Sequence, residues 1–185
     1  MAVHTDKKIK EWAKDNVLPY NEKLVNPASI DLTLGNKLKR PMWYWRYPIS
    51  RFIAWHLRNL LKVKYWDTGI EFTTYTLWPG EFVLCHSLEW TNIPTDAIAL
   101  LFSKSSTGRT GLEHLHAGYG DPEFKGEWTW ELENVAPWPI QLVAGKALMQ
   151  VALIGTMGVP EKLYGQVGRY QNQRGPQEEC PEKTL

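Results

Sequence analysis

One short stretch of the sequence places acidic residues where they could do acid/base chemistry. Residues 126–134 read GEWTWELEN, and their alternation of polar and apolar residues is typical of a β-strand. On such a strand Trp128, Trp130 and Leu132 would share one face. The opposite face would carry Glu127, Thr129, Glu131 and Glu133. The strand alone leaves two interpretations open: a solvated polar face, or a face on which one glutamate acts as acid and base on a bound ligand.

A second stretch has the composition of a phosphate-binding loop. Residues 103–112, SKSSTGRTGL, follow an apolar run and combine two cations with hydroxyl groups and glycine amides. Such groups can surround phosphate oxygens. The order of residues is not that of a Walker loop, and an ordinary polar loop is the alternative.

Two further polar segments could meet a ligand. Residues 120–124, GDPEF, have a turn signature in which Asp121 could cap the turn or bind a hydroxyl group. Residues 168–175, GRYQNQRG, would make a poor core strand and carry Arg169, Tyr170 and Gln173. This segment is either a tail that closes over a ligand or a solvated tail.

The histidines and cysteines do not form a recognisable metal motif. None of the five histidines lies in H-E-x-x-H or in the histidine–glutamate motif of zinc deaminases. His114 and His116 would share one face of a strand, but further ligands are not nearby, so we expect satisfied or solvent-exposed histidines. Cys85 and Cys180 are the only cysteines and are far apart, which argues against a disulfide framework or a cysteine-rich zinc site.

Length, charge and hydropathy exclude several classes of protein. The chain has 185 residues, which suits one domain, and a formal net charge of +1. This balance does not indicate polymeric nucleic acid or an anionic membrane as a partner. No apolar run is long enough to span a bilayer, and the charged N-terminus lacks the apolar core of a secretory signal. We therefore expect a cytoplasmic protein, of a cell or of a virus replicating in one.

The remaining pattern predicts a mainly β protein. Residues 6–16 form a short amphipathic helix pattern, and residues 25–36, VNPASIDLTLGN, predict a strand that ends at Gly35. From residue 70 onward the pattern predicts short strands, including a strand, Pro-Gly turn and strand over 71–90. Short strands with little helix favour a sandwich or jelly roll.

Residues 41–66 differ from the rest of the chain. They are aromatic and basic, and apolar residues recur at helical spacing after Pro48. A lid, a membrane-surface helix and a partner-binding helix are functional interpretations of this segment. An amphipathic helix packed on the domain is the interpretation that we favour.

Five segments, in this order, resemble the dCTP deaminase branch of the dUTPase-like superfamily, and they cover most of the chain. VNPASIDLTLGN resembles the family's Asn-Pro-x-Ser-Ile-Asp segment, and the stretch from LWPGEF to SKSSTGRTGL resembles its Pro-Gly turn, strand and Arg-Ser-Ser loop. GDPEFKGEWTWELEN resembles the Asp-Pro turn and the strand with the catalytic glutamate. AGKALMQVAL and YQNQRG resemble the Pro-Gly-Met strand and the closing tail. The chain is thus identified as a divergent member, of cellular or viral origin.

The resemblance implies a fold, an assembly and a reaction. It implies a dUTPase-like distorted jelly roll or β-barrel, with a short N-terminal helix and one inserted amphipathic helix. It implies a homotrimer with sites at subunit interfaces, and deamination of dCTP to dUTP and ammonia. Magnesium would be bound with the substrate's triphosphate, and zinc would not be required.

The resemblance also assigns roles to residues of this sequence. Glu131 corresponds to the catalytic glutamate, and Ser105 and Arg109 correspond to the residues beside it. With no zinc site visible, a carboxylate would have to deprotonate water and protonate the ring nitrogen, while Arg109 stabilises the negative charge that develops on the base. The positions that correspond to substrate contacts are Lys104, Ser106, Ala117, Asp121, Thr129, Tyr164, Arg169, Tyr170 and Gln173.

These contacts divide by the part of the nucleotide that they would meet. Lys104 and Ser106 correspond to phosphate contacts, and Ala117 and Thr129 to backbone contacts with cytosine. Asp121 corresponds to the residue that faces the deoxyribose. The last four belong to a tail that closes over the triphosphate, and we predict that this tail, residues 164–175, is mobile until the ligand binds.

Three departures from the family pattern keep other functions open. AGYGDPEF lacks the family's His-Arg pair, Lys104 replaces an arginine, and residues 41–66 do not align. The leading hypothesis is a dCTP deaminase, with or without further hydrolysis of dUTP to dUMP. The alternatives are a dUTPase, which Asp121 suits and Glu131 does not, and a module that binds or sequesters a nucleotide without turnover. We expect one domain over residues 1–175 and a flexible tail over 176–185.

Overall fold

The computed structural model describes residues 2–45, 47–115 and 117–179, and only the backbone of residues 58, 59 and 61. The α-helices of these residues are α1 (Asp6–Asn16), α2 (Pro48–Leu61), α3 (Ser105–Gly108) and α4 (Tyr164–Val167). The first seven strands are β1 (Val17–Leu18), β2 (Val25–Asn26), β3 (Ser29–Thr33), β4 (Lys37–Leu38), β5 (Ile70–Glu71), β6 (Thr74–Leu77) and β7 (Phe82–Asn92). The others are β8 (Ala97–Ser103), β9 (Leu112–His114), β10 (Tyr119–Gly120), β11 (Lys125–Asn134), β12 (Ile140–Val143) and β13 (Ala147–Gly155).

The strands form antiparallel sheets, which confirms the prediction of a mainly β fold. One four-stranded sheet has the order β1-β7-β11-β9, and one five-stranded sheet has the order β10-β8-β13-β3-β2. Two smaller sheets pair β12 with β6 and β4 with β5. The long strands β7 and β11 lie side by side, so the segment GEWTWELEN is placed in the middle of the four-stranded sheet.

The core is formed by the inward faces of these sheets and by α1. Trp130 and Leu132 of β11 are completely buried, as are Leu32 of β3 and Met149 of β13. The helix predicted near the N-terminus buries Ile9 on the same core. Because these apolar side chains recur with the period of their own element, their inward faces could be predicted from the sequence.

The Pro-Gly turn joins two sheets. Gly80 has a φ of +70°, and the Glu81 N–H donates to the Trp78 carbonyl at 2.9 Å, so the turn forms where the sequence predicted it. The flanking strands do not pair with each other: β6 pairs with β12, and β7 pairs with β1 and β11. The chain therefore passes from one sheet to the other at this turn. The strands that pair with β6 and β7 come from distant parts of the sequence.

The helix predicted within residues 41–66 is present, but its packing was predicted wrongly. Among the described side chains of α2, Ala54 is the buried one, whereas Ile49 is 78% exposed and Leu60 is 79% exposed. Helical periodicity predicts an apolar face but does not determine what covers that face. None of the helices in the described ranges is long and apolar enough to cross a membrane.

Candidate active site

The alternation on β11 separates a buried face from a half-buried face. Trp128, Trp130 and Leu132 are buried, whereas Thr129 and Glu131 are half-buried. Glu131 lies opposite Leu84 of β7 and Thr129 lies opposite His86, with a shift in the pairing register between Glu127 and Thr129. The sheet therefore holds Thr129 and Glu131 next to each other on one rigid face.

That face borders a cavity of about 990 Å³. The sequence-predicted residues that line it are Ala117, Asp121, Thr129, Glu131, Tyr164, Tyr170 and Gln173. They come from β11, from residues 117–121 before it and from the C-terminal segment. The tertiary structure thus brings together residues that are up to 56 positions apart in the sequence, from Ala117 to Gln173. Both candidate carboxylates, Asp121 and Glu131, belong to this set.

Arg169 lies next to this cavity, in a second cavity of about 490 Å³. The two cavities share Tyr119, Asp121, Tyr164 and Tyr170. The second one also contains Lys162, so its cationic side chains suit an anionic part of a ligand. The adjoining cavities thus offer an apolar, carboxylate-containing region and a cationic region.

The predicted phosphate loop lies elsewhere on the chain. Residues 105–108 form the short helix α3, and Ser105, Ser106 and Arg109 are exposed. Ser106 lines a separate groove, and none of these residues is among those that line the Glu131 cavity. Within one chain, Ser105 and Arg109 therefore do not lie at the cavity that contains Glu131.

Lys104 is held by the Asn-Pro-x-Ser-Ile-Asp segment. Its ammonium group pairs with Asp31, and Asn26 donates to the other carboxylate oxygen of Asp31 at 2.8 Å. Asp31 lies on β3 and Lys104 directly follows β8, the two strands that flank β13. The resemblance predicted that Lys104 contacts a phosphate. In this structure the ion pair with Asp31 ties the start of the loop, residues 103–112, to β3.

His114 is the neighbour of Glu131 that sequence reasoning missed. It is buried at the end of β9, and its Nε2 lies 3.2 Å from Oε2 of Glu131. Within the described residues neither of these two buried atoms makes an aligned hydrogen bond. The expectation of a satisfied or exposed histidine was therefore wrong for His114, because β9 pairs with β11 and turns its last residue toward the glutamate. His116 lies outside the described residues.

Glu127, to which the resemblance gives no role and for which a solvated or an interface position is expected, is buried. It is 9% exposed, and its carboxylate contacts Arg174 and Gly175 of the C-terminal segment. This segment runs alongside the start of β11, with a parallel bridge between Gly126 and Gln173. The polar face of GEWTWELEN is thus covered partly by the chain's own C-terminal residues, which local alternation could not reveal.

The chain was compared with known proteins. A profile of the dCTP deaminase-like family matches residues 3–155. The chain belongs to the dCTP deaminase-like family. It is 32% identical over 185 residues to "dCTP deaminase, dUMP-forming" of Methanosphaera stadtmanae, covering 96% of this chain and 92% of the relative. It is 40% identical over 166 residues to the protein of the same name from Mycolicibacterium gilvum, covering 85% and 83%.

A solved structure supports the same fold. The crystal structure of 2'-deoxycytidine 5'-triphosphate deaminase from Agrobacterium tumefaciens superposes with a TM-score of 0.61 over 82% of this chain and 47% of that chain. The sequence identity is 20%, so this likeness concerns the fold. The dUTPase-like architecture predicted from the sequence is confirmed.

In this dCTP deaminase-like chain the segment 41–66 contributes to the cavity wall. Pro41 forms an antiparallel bridge with Trp66, and the Met42 N–H donates to the Tyr65 carbonyl at 2.9 Å. These contacts close the base of the insertion and place Trp45 against Tyr65, with the rings stacked at 5.1 Å. The wall residues of this segment that were not predicted to belong to the site are Pro41, Trp45, Tyr65 and Trp66. Their clustered aromatic composition was the available signal.

No group of three or more histidine, cysteine, aspartate or glutamate side chains is arranged to hold a metal ion in the part of the chain that the structure describes. The substrate-borne magnesium of the resemblance would be held by phosphate oxygens, and this assignment stays a prediction.

Proposed function

We propose that this protein deaminates dCTP and hydrolyses the resulting dUTP to dUMP. The observation that carries the proposal is the presence of Glu131 and Asp121 in the wall of one cavity. Glu131 corresponds to the deaminase glutamate and Asp121 to the water-activating aspartate of dUTPases. The names of the two relatives, both "dCTP deaminase, dUMP-forming", support the same pair of reactions.

Glu131 acts as the acid and base of deamination. Its carboxylate takes a proton from water as the oxygen attacks C4 of cytosine, and it delivers a proton to the ring nitrogen. The new C4 hydroxyl then loses its proton and the exocyclic amino group gains one through the same carboxylate, the bond from C4 to the amino nitrogen breaks, and dCTP and water give dUTP and ammonia. Its Oε2 is buried 3.2 Å from His114 Nε2, so His114 limits where the carboxylate can turn, and the cavity side of the carboxylate is left for this water.

Asp121 serves the second hydrolysis. It activates a water molecule that attacks the α-phosphorus, the bond to the leaving pyrophosphate breaks, and dUTP and water give dUMP and pyrophosphate. Substrate-borne magnesium would neutralise charge on the triphosphate. Arg169 and Lys162 in the adjoining cavity provide cations for the phosphate end.

We propose that the complete site forms between subunits of a homotrimer. Ser105, Ser106 and Arg109 are exposed and do not line their own chain's cavity, which is the arrangement expected if they serve a neighbouring chain. Arg109 and the Ser105 hydroxyl of the neighbour would then stabilise charge that develops during attack at C4. Size-exclusion chromatography with light scattering tests the trimer.

One assay tests the function against its alternatives. The protein is incubated with dCTP or dUTP and Mg²⁺, and ammonia, dUTP, dUMP and pyrophosphate are measured. Ammonia and dUMP from dCTP support the proposal, dUMP from dUTP alone indicates a dUTPase, and binding without products indicates a sequestering module. Glu131 argues against the dUTPase, because that enzyme has no use for a carboxylate there.

Changing Asp121 to asparagine should separate the two reactions. The amide cannot take a proton from water, so we expect dUMP formation to fall by about a hundredfold while ammonia release continues. The measured product from dCTP should change from dUMP to dUTP. Asp15→Asn, on the exposed side of α1, is the matched control and should keep the wild-type products. Unchanged dUMP formation by D121N would exclude Asp121 as the activating group.

The deaminase activity should depend on magnesium and should not depend on zinc. We expect a zinc-selective chelator to leave ammonia release unchanged, because the proposed chemistry uses a carboxylate to activate water. Elemental analysis of the purified protein provides the second measurement. One tightly bound zinc per chain, with activity lost on its removal, would contradict the proposed mechanism.

A further inference from the structure

Glu127 is a buried carboxylate that the proposed reactions do not use. Both of its oxygens are engaged by the C-terminal segment: Oε1 accepts from Arg174 at 3.0 Å, and Oε2 accepts from the Gly175 N–H at 2.6 Å. Charge-assisted hydrogen bonds of this kind are among the stronger ones in proteins. A buried carboxylate with both oxygens directed at one segment indicates that it holds that segment.

The backbone of Glu127 engages the same segment. Its N–H donates to the Gln173 carbonyl at 3.1 Å, and its carbonyl accepts from the Gln173 side chain. Residues 173–175 are therefore all bound to one residue of β11. We call the set of Glu127, Gln173, Arg174 and Gly175 the tail clasp.

The surroundings of Glu127 fix its carboxylate on one side. His86 Nδ1 lies 3.0 Å from Oε2, and burial lowers the pKa of His86, which favours the neutral imidazole at neutral pH. The ring packs so tightly on Gly35 that a Cβ at that position would be 2.3 Å from it. The His86 ring thus restricts the Glu127 carboxylate on one side, and both carboxylate oxygens face the C-terminal segment.

The tail clasp holds in place two residues that line the cavity. Gln173 is a member of the clasp, and Gln177 follows it closely and donates its N–H to Thr129 at 3.1 Å. Both glutamines line the cavity that contains Glu131. Gly175 has a φ of +66°, a conformation that favours glycine, and it turns the chain between the two glutamines.

We propose that Glu127 is a positioning residue for substrate binding. The C-terminal segment is polar and has few apolar anchors, so it cannot offset its ordering entropy by apolar burial. The negative charge of Glu127 holds this segment against β11, a state that we call the seated tail. Glu127 raises the fraction of chains in which Gln173 and Gln177 already lie on the cavity when the nucleotide arrives, and the nucleotide then orders the rest of the tail. This inference rests on the proposed dCTP deaminase function of the same cavity.

Replacing Glu127 with alanine tests the role in binding. We expect the KM for dCTP to rise by about tenfold or more, because the loss of charge-assisted hydrogen bonds lowers the fraction of chains with a seated tail. At saturating dCTP we expect kcat to fall less than kcat/KM, because the ligand itself restores seating. Cleavage of the segment 168–179 by a protease should become faster without ligand, and this readout does not depend on turnover.

Three further variants separate positioning from general stability. Glu127→Gln keeps an acceptor for the Gly175 N–H and should recover part of the wild-type KM. Arg174→Met removes the charged partner of Oε1 from an exposed position without changing the turn at Gly175, and should reproduce the direction of the E127A effects even if E127A itself folds poorly. Glu133→Ala, on the same strand but not lining the cavity, removes the same charge and should leave KM and cleavage unchanged.

The outcomes distinguish this inference from the proposed function. Wild-type KM and cleavage rates in both E127A and R174M would overturn the role of Glu127. A wild-type protein that releases no ammonia from dCTP would overturn the proposed function, while faster cleavage in both variants would still show that Glu127 seats the tail.

Discussion

Ammonia release from dCTP should fall by more than about a hundredfold when Glu131 is changed to glutamine, which is the usual scale for losing a general acid and base. Glutamine has nearly the same shape and still fits beside His114, so the fold, the trimer and nucleotide binding should remain. Its amide cannot carry a proton from water to the ring nitrogen. The measurements are steady-state ammonia release, dCTP binding by calorimetry and molecular mass in solution.

Glu133→Gln is the matched control for this variant. Glu133 lies two residues further along β11 and is not among the residues that line the cavity, so its amide variant should retain wild-type turnover. Turnover near the wild-type value in E131Q would remove Glu131 from the mechanism and return it to the role of a polar strand residue.

Deleting the chain after Gly168 should leave a folded trimer that binds dCTP weakly and deaminates it poorly. The deletion removes Arg169, Tyr170 and Gln173 from the two adjoining cavities. It also opens the site to water, which weakens electrostatic interactions around Glu131. We expect kcat/KM to fall by about a hundredfold or more, since several charge-assisted and hydrogen-bonding contacts are lost together. Steady-state kinetics and calorimetry measure the effect.

A shorter deletion after Glu179 is the control for this experiment, because it retains the residues that contact β11 and line the cavity. It should behave as the full chain does. In the full chain, protease cleavage within 164–175 should become slower when dCTP and Mg²⁺ are added. Equal affinity and turnover in the longer deletion and the full chain would show that the tail is a passive extension.

The sequence by itself determined the features that depend on local repetition. Alternation in GEWTWELEN predicted which side chains of β11 are buried, and Trp130 and Leu132 are completely buried. Periodic apolar residues predicted α1 and α2, and the order of five motifs identified the family. These features could be predicted because strand and helix periods are set by the backbone itself, whatever the element packs against.

The tertiary structure decided which distant groups meet. The pairing of β9 with β11 brings His114 to Glu131, and an Asn-Pro-x-Ser-Ile-Asp strand far upstream anchors Lys104 through Asp31. Neither contact follows from a local pattern, because strand pairing joins residues that are distant in sequence. For the same reason the exposed face of α2 could not be predicted, since its periodicity is satisfied whether or not another element covers it.

Glu127 shows most directly where the local pattern stops being informative. By alternation it belongs with Glu131 and Glu133 on a polar face, and a polar face of a strand is most often solvated. The C-terminal segment returns to the start of β11 and covers that residue, while leaving Glu131 on the wall of a cavity. The same residue type on the same strand face therefore has two different environments, because burial depends on which remote segment lies against each position.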